Sequence, residues 1–205
     1  MYSMKRVCAI IFVLTLLILS ACDSDSGRRL SINSKKFIPY KGHEWLIFKS
    51  DQGEKDTIKL SGYEDFYTAV GSVSHYTNYE TYRLNCLWPL HNAGDSLKSK
   101  KYLISVSVAQ TGKTDVSFSY DDWSKYYHFW SNEDLDSIYK RNKEVVQIGS
   151  NVIADVVRIR NQELGTSAPT YMSIIYWSMT KGIIGFSLVN GTMWKLEKVI
   201  SSAAN

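Results

Sequence analysis

Cysteine, proline and an excess of either charge are all scarce in this chain of 205 residues. Three cysteines are too few for a disulfide scaffold. Three prolines and 12 glycines exclude a collagen-like or linker-rich chain. The 24 basic and 20 acidic residues leave a net charge of +4 with no Lys/Arg stripe, which argues against a nucleic-acid partner. Long apolar runs are missing too. The one candidate, residues 7–19, would make a helix of about 20 Å, short of the ~30 Å hydrocarbon core of a bilayer. What is present is a globular composition, 44% hydrophobic and 13% aromatic, at a length that suits one domain.

The N-terminus reads as an address. Lys5 and Arg6 precede an apolar run broken only by Thr15, and Ser20, Ala21 and Cys22 follow it. That order is the layout of a secretory signal. Leu19-Ser20-Ala21-Cys22 resembles the bacterial lipobox. The resemblance implies a diacylglycerol on the Cys22 thiol, cleavage before that residue, and a further acyl chain such as palmitate on the new N-terminus. Residues 1–21 would then be the signal peptide. Losing Lys5 and Arg6 lowers the net charge from +4 to +2. Two or more acyl chains anchor stably where one is marginal.

Residues 22–37 read as the lipidated cysteine and a flexible tether, and residues 38–205 as one β-rich domain. Asp23-Ser24-Asp25-Ser26-Gly27 imitates the first half of a calcium loop. Position twelve of such a loop should be Glu and is Ser34, so a tether is the better reading. Acidic residues directly after the cysteine also resemble lipoprotein sorting signals. Some bacteria use them for inner-membrane retention, and Bacteroidota-type lipoproteins for export to the surface. The expected location is the bacterial envelope, the outer membrane ahead of the inner. With Cys8 removed and Cys22 acylated, Cys86 is the one remaining thiol. Its neighbours Leu84, Leu87 and Trp88 mark it as a small buried hydrophobe.

From residue 38 onward the pattern is strand-like. Ile104, Val106 and Val108 alternate with polar residues, as do Val116, Phe118 and Tyr120. Period-two alternation means one packed and one wet face. Gly62 is expected to end one strand and Gly71 the next. Gly149-Ser150-Asn151, Lys181-Gly182 and Asn190-Gly191 are hairpin turns. One short helix is expected near residues 132–142, with Ser131 or Asn132 as cap and Leu135, Ile138 and Tyr139 on one face. The fold class is all-β and mostly antiparallel, with about 9–10 short strands closed as a barrel, half-barrel or sandwich.

Asp155-Val156, Ile175-Tyr176-Trp177-Ser178, Lys181 to Phe186, and Asn190-Gly191 with Trp194 and Leu196 resemble a pattern of small Bacteroidota-type envelope lipoproteins. The resemblance implies an all-β fold and an envelope location, and says little of activity. A likeness to the half-barrels of bacterial lipoprotein carriers is architectural analogy alone.

Chemistry-bearing motifs are absent from the sequence. His43, His75, His91 and His128 are isolated, and no metal-ligand or nucleotide-binding spacing occurs. No cofactor is expected. Asp121-Asp122 and Glu133-Asp134 could supply a carboxylate pair for a hydrolase, as many globular chains could. The stretch 120–130 holds six aromatics. Alternation cannot bury all of them on one face, so Trp123, Tyr126, Tyr127 and Trp130 are the candidate binding surface. Tyr76, Tyr79 and Tyr82 form a second aromatic group. The leading expectation is a non-catalytic, membrane-tethered domain binding a glycan or a protein. A lipid or lipoprotein carrier with an apolar cavity and a hydrolase are the alternatives.

Overall fold

The computed structural model describes residues 27–72, 75–87, 101–121, 128–148, 150–162 and 171–201. Among them eleven strands form one antiparallel sheet, strongly curled into a half-barrel. The strands are β1 (Glu44–Ser50), β2 (Lys55–Ser72), β3 (His75–Leu87), β4 (Lys101–Val108), β5 (Thr114–Asp121), β6 (His128–Asp134), β7 (Glu144–Ile148), β8 (Asn151–Arg160), β9 (Met172–Ser178), β10 (Gly182–Leu188) and β11 (Met193–Ser201). Two short helices are α1 (Ile32–Lys35) and α2 (Leu135–Lys140). The spatial order is β6-β5-β4-β3-β2-β1-β11-β10-β9-β8-β7. The chain lays down one wing from β1 to β6. It crosses to the far edge through α2, then returns from β7 until β11 pairs with β1.

The sheet has eleven strands against the about 9–10 expected, and its elements differ from expectation in two places. The runs on either side of Gly62 are one strand, carried through a bulge between Leu60 and Tyr63. Gly62 adopts φ +103 there and donates its N–H to the Gly42 carbonyl at 2.7 Å. A positive φ suits glycine, so the residue bends the strand instead of ending it. The second difference is β6, which continues through Asn132 and Glu133 as partners of Ser117 and Val116. The helix expected at 132–142 therefore spans only Leu135–Lys140. Its cap is Asp134, whose carboxylate accepts the Ser137 N–H at 3.1 Å, rather than Ser131 or Asn132.

The main core lies on the concave face. Leu46, Phe48, Ile58, Leu84, Cys86, Ile104, Val106, Val116 and Phe118 are all buried there, as their alternation requires. The packed part of the chain begins before residue 38. Ser31 caps α1 by accepting the Ser34 N–H, and Leu30, Phe37 and Ile38 are buried in the concavity. Phe37 stacks on Trp177 at 5.4 Å and meets Phe118 edge-on at 6.4 Å. Leu135 and Ile138 of α2 fill the same face. A smaller cluster of Ile153, Val156 and Ile184, with Val146, Ile148 and Tyr176 against it, sits on the opposite face under β7 and β8.

An open sheet leaves unpaired edge groups that must be satisfied or covered. At β6 the cover comes from the far wing. The Gln162 N–H donates to the Trp130 carbonyl at 2.8 Å, and the Trp130 N–H donates to Asn161 Oδ1 at 3.3 Å. Asn161 also donates to the Met172 carbonyl at 2.9 Å, so one buried side chain links β6 to β9. Short polar contacts thus join the two ends of the curl where a full barrel would continue the ladder.

Candidate functional site

Of the four aromatics singled out on sequence, Trp123, Tyr126 and Tyr127 lie outside the described residues, as does Cys22. Trp130 is described. It is half-buried on β6, with its backbone tied to Asn161 and Gln162 at the seam.

The residues of the C-terminal pattern singled out on sequence have structural roles. Asp155 accepts hydrogen bonds from Ser178 Oγ at 2.7 Å and from the Thr180 N–H and Oγ1 at 2.9 and 2.8 Å. Burial pushes the Asp155 pKa up, but these donors together outweigh it and hold the carboxyl below its ordinary range. The same carboxylate thereby fixes the turn between β9 and β10. Trp194 stacks on Phe186 at 5.7 Å inside the core.

The carboxylates proposed for a hydrolase are likewise committed. Glu133 is ion-paired with Arg141 and accepts from Ser131 Oγ. Asp134 caps α2, and the Ser137 hydroxyl holds its pKa low. Asp115 lies directly across from Asp134. Burial, then the Asp134 charge, raises the Asp115 pKa. The side chain of Asp121 and all of Asp122 lie outside the described residues. His43 is exposed, and no group of three or more potential metal ligands occurs among the described residues.

The structure assembles a site that local sequence reading missed. The β7–β8 hairpin curls back over the outer face of β1 and β11 and leaves a groove of about 420 Å³. Lys49, Asp51, Ile148, Asn151, Lys195 and Glu197 are among its lining residues. A lobe of about 200 Å³ extends it past Ile153 and Val199 toward Lys181 and Lys198. The walls mix Ile148, Ile153, Leu196 and Val199 with Ser50, Ser150 and Asn151, and the rim carries four lysines against two carboxylates. Both carboxylates already have partners. Glu197 pairs with Lys55 at 2.9 Å, and Asp51 Oδ2 faces the Met193 N–H at 3.4 Å. The hydrogen bond and charge of Lys55, with Lys49 behind it, hold the Glu197 pKa low.

Lys49 and Lys195 are direct cross-strand partners. Like charges placed opposite one another weaken a strand pair, so this register costs the free protein stability and concentrates positive potential in the groove. Each lysine sits at an outward position of its own strand, which is legible locally. Their juxtaposition follows only from the β1–β11 register. No protein-family model, curated protein or solved structure matches this chain.

Proposed function

We propose that the chain is a membrane-anchored bacterial envelope lipoprotein whose β-domain binds an acidic protein partner on its outer face, without catalysis. The anchor is Cys22, and the outer membrane is the preferred location. The observation that carries the binding reading is the filled concave face. Phe37, Trp177, Phe118 and Phe129 are each at most 1% exposed. The chain's own N-terminal segment and α2 occupy the space that a carried lipid would need. Recognition is thereby moved to the outer surface, where the lysine-rimmed groove offers partly apolar walls and twice as many lysines as carboxylates. Aromatic platforms suit sugars, and this groove has none among its described lining residues, which favours a protein over a glycan.

The carrier reading retains one observation. The Trp177 indole N–H is fully buried in the concave core with no acceptor among the described residues, and an unsatisfied donor of this kind costs about 1–3 kcal/mol. Native mass of the acylated protein released in detergent separates the two readings. A mass accounted for by the chain and its Cys22 acyl groups is expected, and an additional retained lipid would overturn the surface reading. The groove is tested by photocrosslinking in cells from position 195. A discrete adduct lost in Lys49→Glu is expected, and no adduct, or one indifferent to that charge reversal, would refute the groove as the contact.

A further inference from the structure

Strands β2 and β3 outrun their neighbours. The β1 ladder reaches β2 only as far as Lys59, and the β4 ladder reaches β3 only as far as Thr81. Beyond those points β2 and β3 continue paired with each other, from Tyr67 with Glu80 to Ser72 with His75, with the Arg28 bridge at Tyr79 beside their base. The result is a two-stranded arm projecting from the half-barrel. Residues 66–79 contain no Asp, Glu, Lys or Arg and four aromatics, Phe66, Tyr67, Tyr76 and Tyr79. Tyr67 is 46% exposed and Val70 38%.

Natural sheets guard exposed edges with charge, proline or cover. Residues 66–79 contain neither charge nor proline, and the cover they receive among the described residues comes from Arg28 and Arg29.

The chain enters the fold at the base of the arm. The Arg28 N–H donates to the Asn78 carbonyl at 2.8 Å, and the Arg28 carbonyl accepts the Glu80 N–H at 3.0 Å. Arg28 is thereby bridged to β3 at Tyr79. Its guanidinium lies over the Tyr79 ring and donates to the Gln110 carbonyl at 2.8 Å. The Arg29 guanidinium lies over Tyr67 at 5.8 Å from the ring centroid. Cys22 is six residues before Arg28. Fully extended, six residues span about 20 Å.

We infer that the β2–β3 arm is a second membrane contact, lying in the headgroup layer beside the lipid anchor. The inference rests on the reading of Cys22 as that anchor. A tether of this reach holds Arg28 and the arm base close to the bilayer surface. Tyrosine favours that boundary, with its ring among the apolar groups and its hydroxyl in the wet layer. Arg29 beside Tyr67 is placed to meet lipid phosphate, which guanidinium recognises through paired N–H donors. Backbone groups on an open edge need water or headgroup partners, so the arm lies on the membrane and does not cross it.

The test uses the full-length acylated protein in vesicles of phosphatidylethanolamine and phosphatidylglycerol. Val70→Cys carries an environment-sensitive fluorophore, and Val152→Cys on the β7–β8 hairpin carries it as the control. Acylated Cys22 and buried Cys86 stay unlabelled. The expected result is a blue shift at position 70 with loss of emission when lipids bear a headgroup-level quencher, reduced in Arg29→Glu and absent at position 152. Intact mass reads the acylation of Cys22 in the same sample. Acylated protein with position 70 unquenched overturns the arm contact and leaves the anchor standing. Quenching that persists on vesicles with Cys22→Ala supports the arm contact independently of the anchor. A blue shift without lipid quenching, accompanied by crosslinking between two copies through position 70, overturns the bilayer as the cover and assigns it to a second chain.

Discussion

Phe37→Ala tests directly whether the concave face is the protein's own core. Phe37 is 1% exposed and is held by three rings: Trp177 at 5.4 Å, Tyr139 at 6.0 Å and Phe118 at 6.4 Å. Removing a fully buried phenyl ring forfeits its transfer energy and leaves a cavity, together about 3–5 kcal/mol. The surrounding rings belong to β5, β9 and α2, which are fixed by separate hydrogen-bond networks. The site therefore collapses poorly, and the upper half of that range is expected. For a domain of this size, each 1 kcal/mol lowers Tm by about 2–4 °C, giving a fall of roughly 8–20 °C. Urea unfolding followed by tryptophan fluorescence measures the loss, with the slope against urea reporting whether the compact state is unchanged. An apolar cavity of this kind takes up a small aromatic molecule, so benzene should raise the Tm of the variant and leave the parent unmoved. A loss below about 1 kcal/mol, or a benzene response equal in both proteins, would show that the concavity is already open. The carrier reading would then displace the surface reading.

Three further outcomes are expected. A Cβ at Gly182, where φ is +78, would stand 2.3 Å from the Tyr40 hydroxyl that accepts the Ile183 N–H, whereas one at Gly191, where φ is +89, meets nothing within 4 Å. Gly191→Ala should cost about 1 kcal/mol of backbone strain and Gly182→Ala about 2–4 kcal/mol once overpacking is added; equal losses by urea unfolding would refute the Tyr40 contact. Asn161→Ala should cost about 2–4 kcal/mol, because it leaves the Trp130 N–H and the Met172 carbonyl without the buried side chain that serves both, and hydrogen exchange should rise first along β6; uniform protection there would refute the seam. Stability should fall above pH 10. Burial raises the pKa of Tyr40 and Tyr63 above the ordinary 10.0, with the Tyr82 and Glu44 charges adding at Tyr63. Their contribution is complete below the unfolded value and is lost as pH climbs above it, because only the unfolded chain then releases those protons. Burial lowers the Lys35 pKa but the Asp65 and Glu80 contacts raise it further, so its contribution is also lost on the alkaline side; unfolding free energies unchanged from pH 8 to about pH 11 would contradict both assignments.

What the sequence made legible was whatever a local rule could decide. Ile104, Val106, Val116 and Phe118 alternate, and all four are 0% exposed. The turn at Asn190-Gly191 stands where the dipeptide puts it, with Gly191 at φ +89 and Asn190 Oδ1 accepting the Thr192 N–H. Local reading failed where two local rules competed. Gly62 carries the same signal whether it ends a strand or bends one, and the Gly42 carbonyl, which decides between them, is 20 residues away. Ser131 and Asn132 are good caps, yet the β5 ladder keeps both extended and passes the role to Asp134. Residues 28–37 look like tether because Arg28, Arg29, Ser31, Asn33, Ser34, Lys35 and Lys36 are polar, although the core takes Leu30 and Phe37 from among them.

The two proposed surfaces belong to a different order of information. The groove depends on Lys49 facing Lys195, and the arm depends on β1 and β4 stopping short of β2 and β3. Neither is a property of any window of sequence. The first is set by the register of the β1–β11 seam, which joins the beginning of the domain to its end. The second is set by unequal strand lengths, visible only after pairing is known. A curled sheet with its concave face filled has its outer face, edges and projections left for recognition. Irregularities of register and length are where that surface departs from a repeating ladder, and this chain places its paired lysines and its uncharged aromatic arm at two such departures.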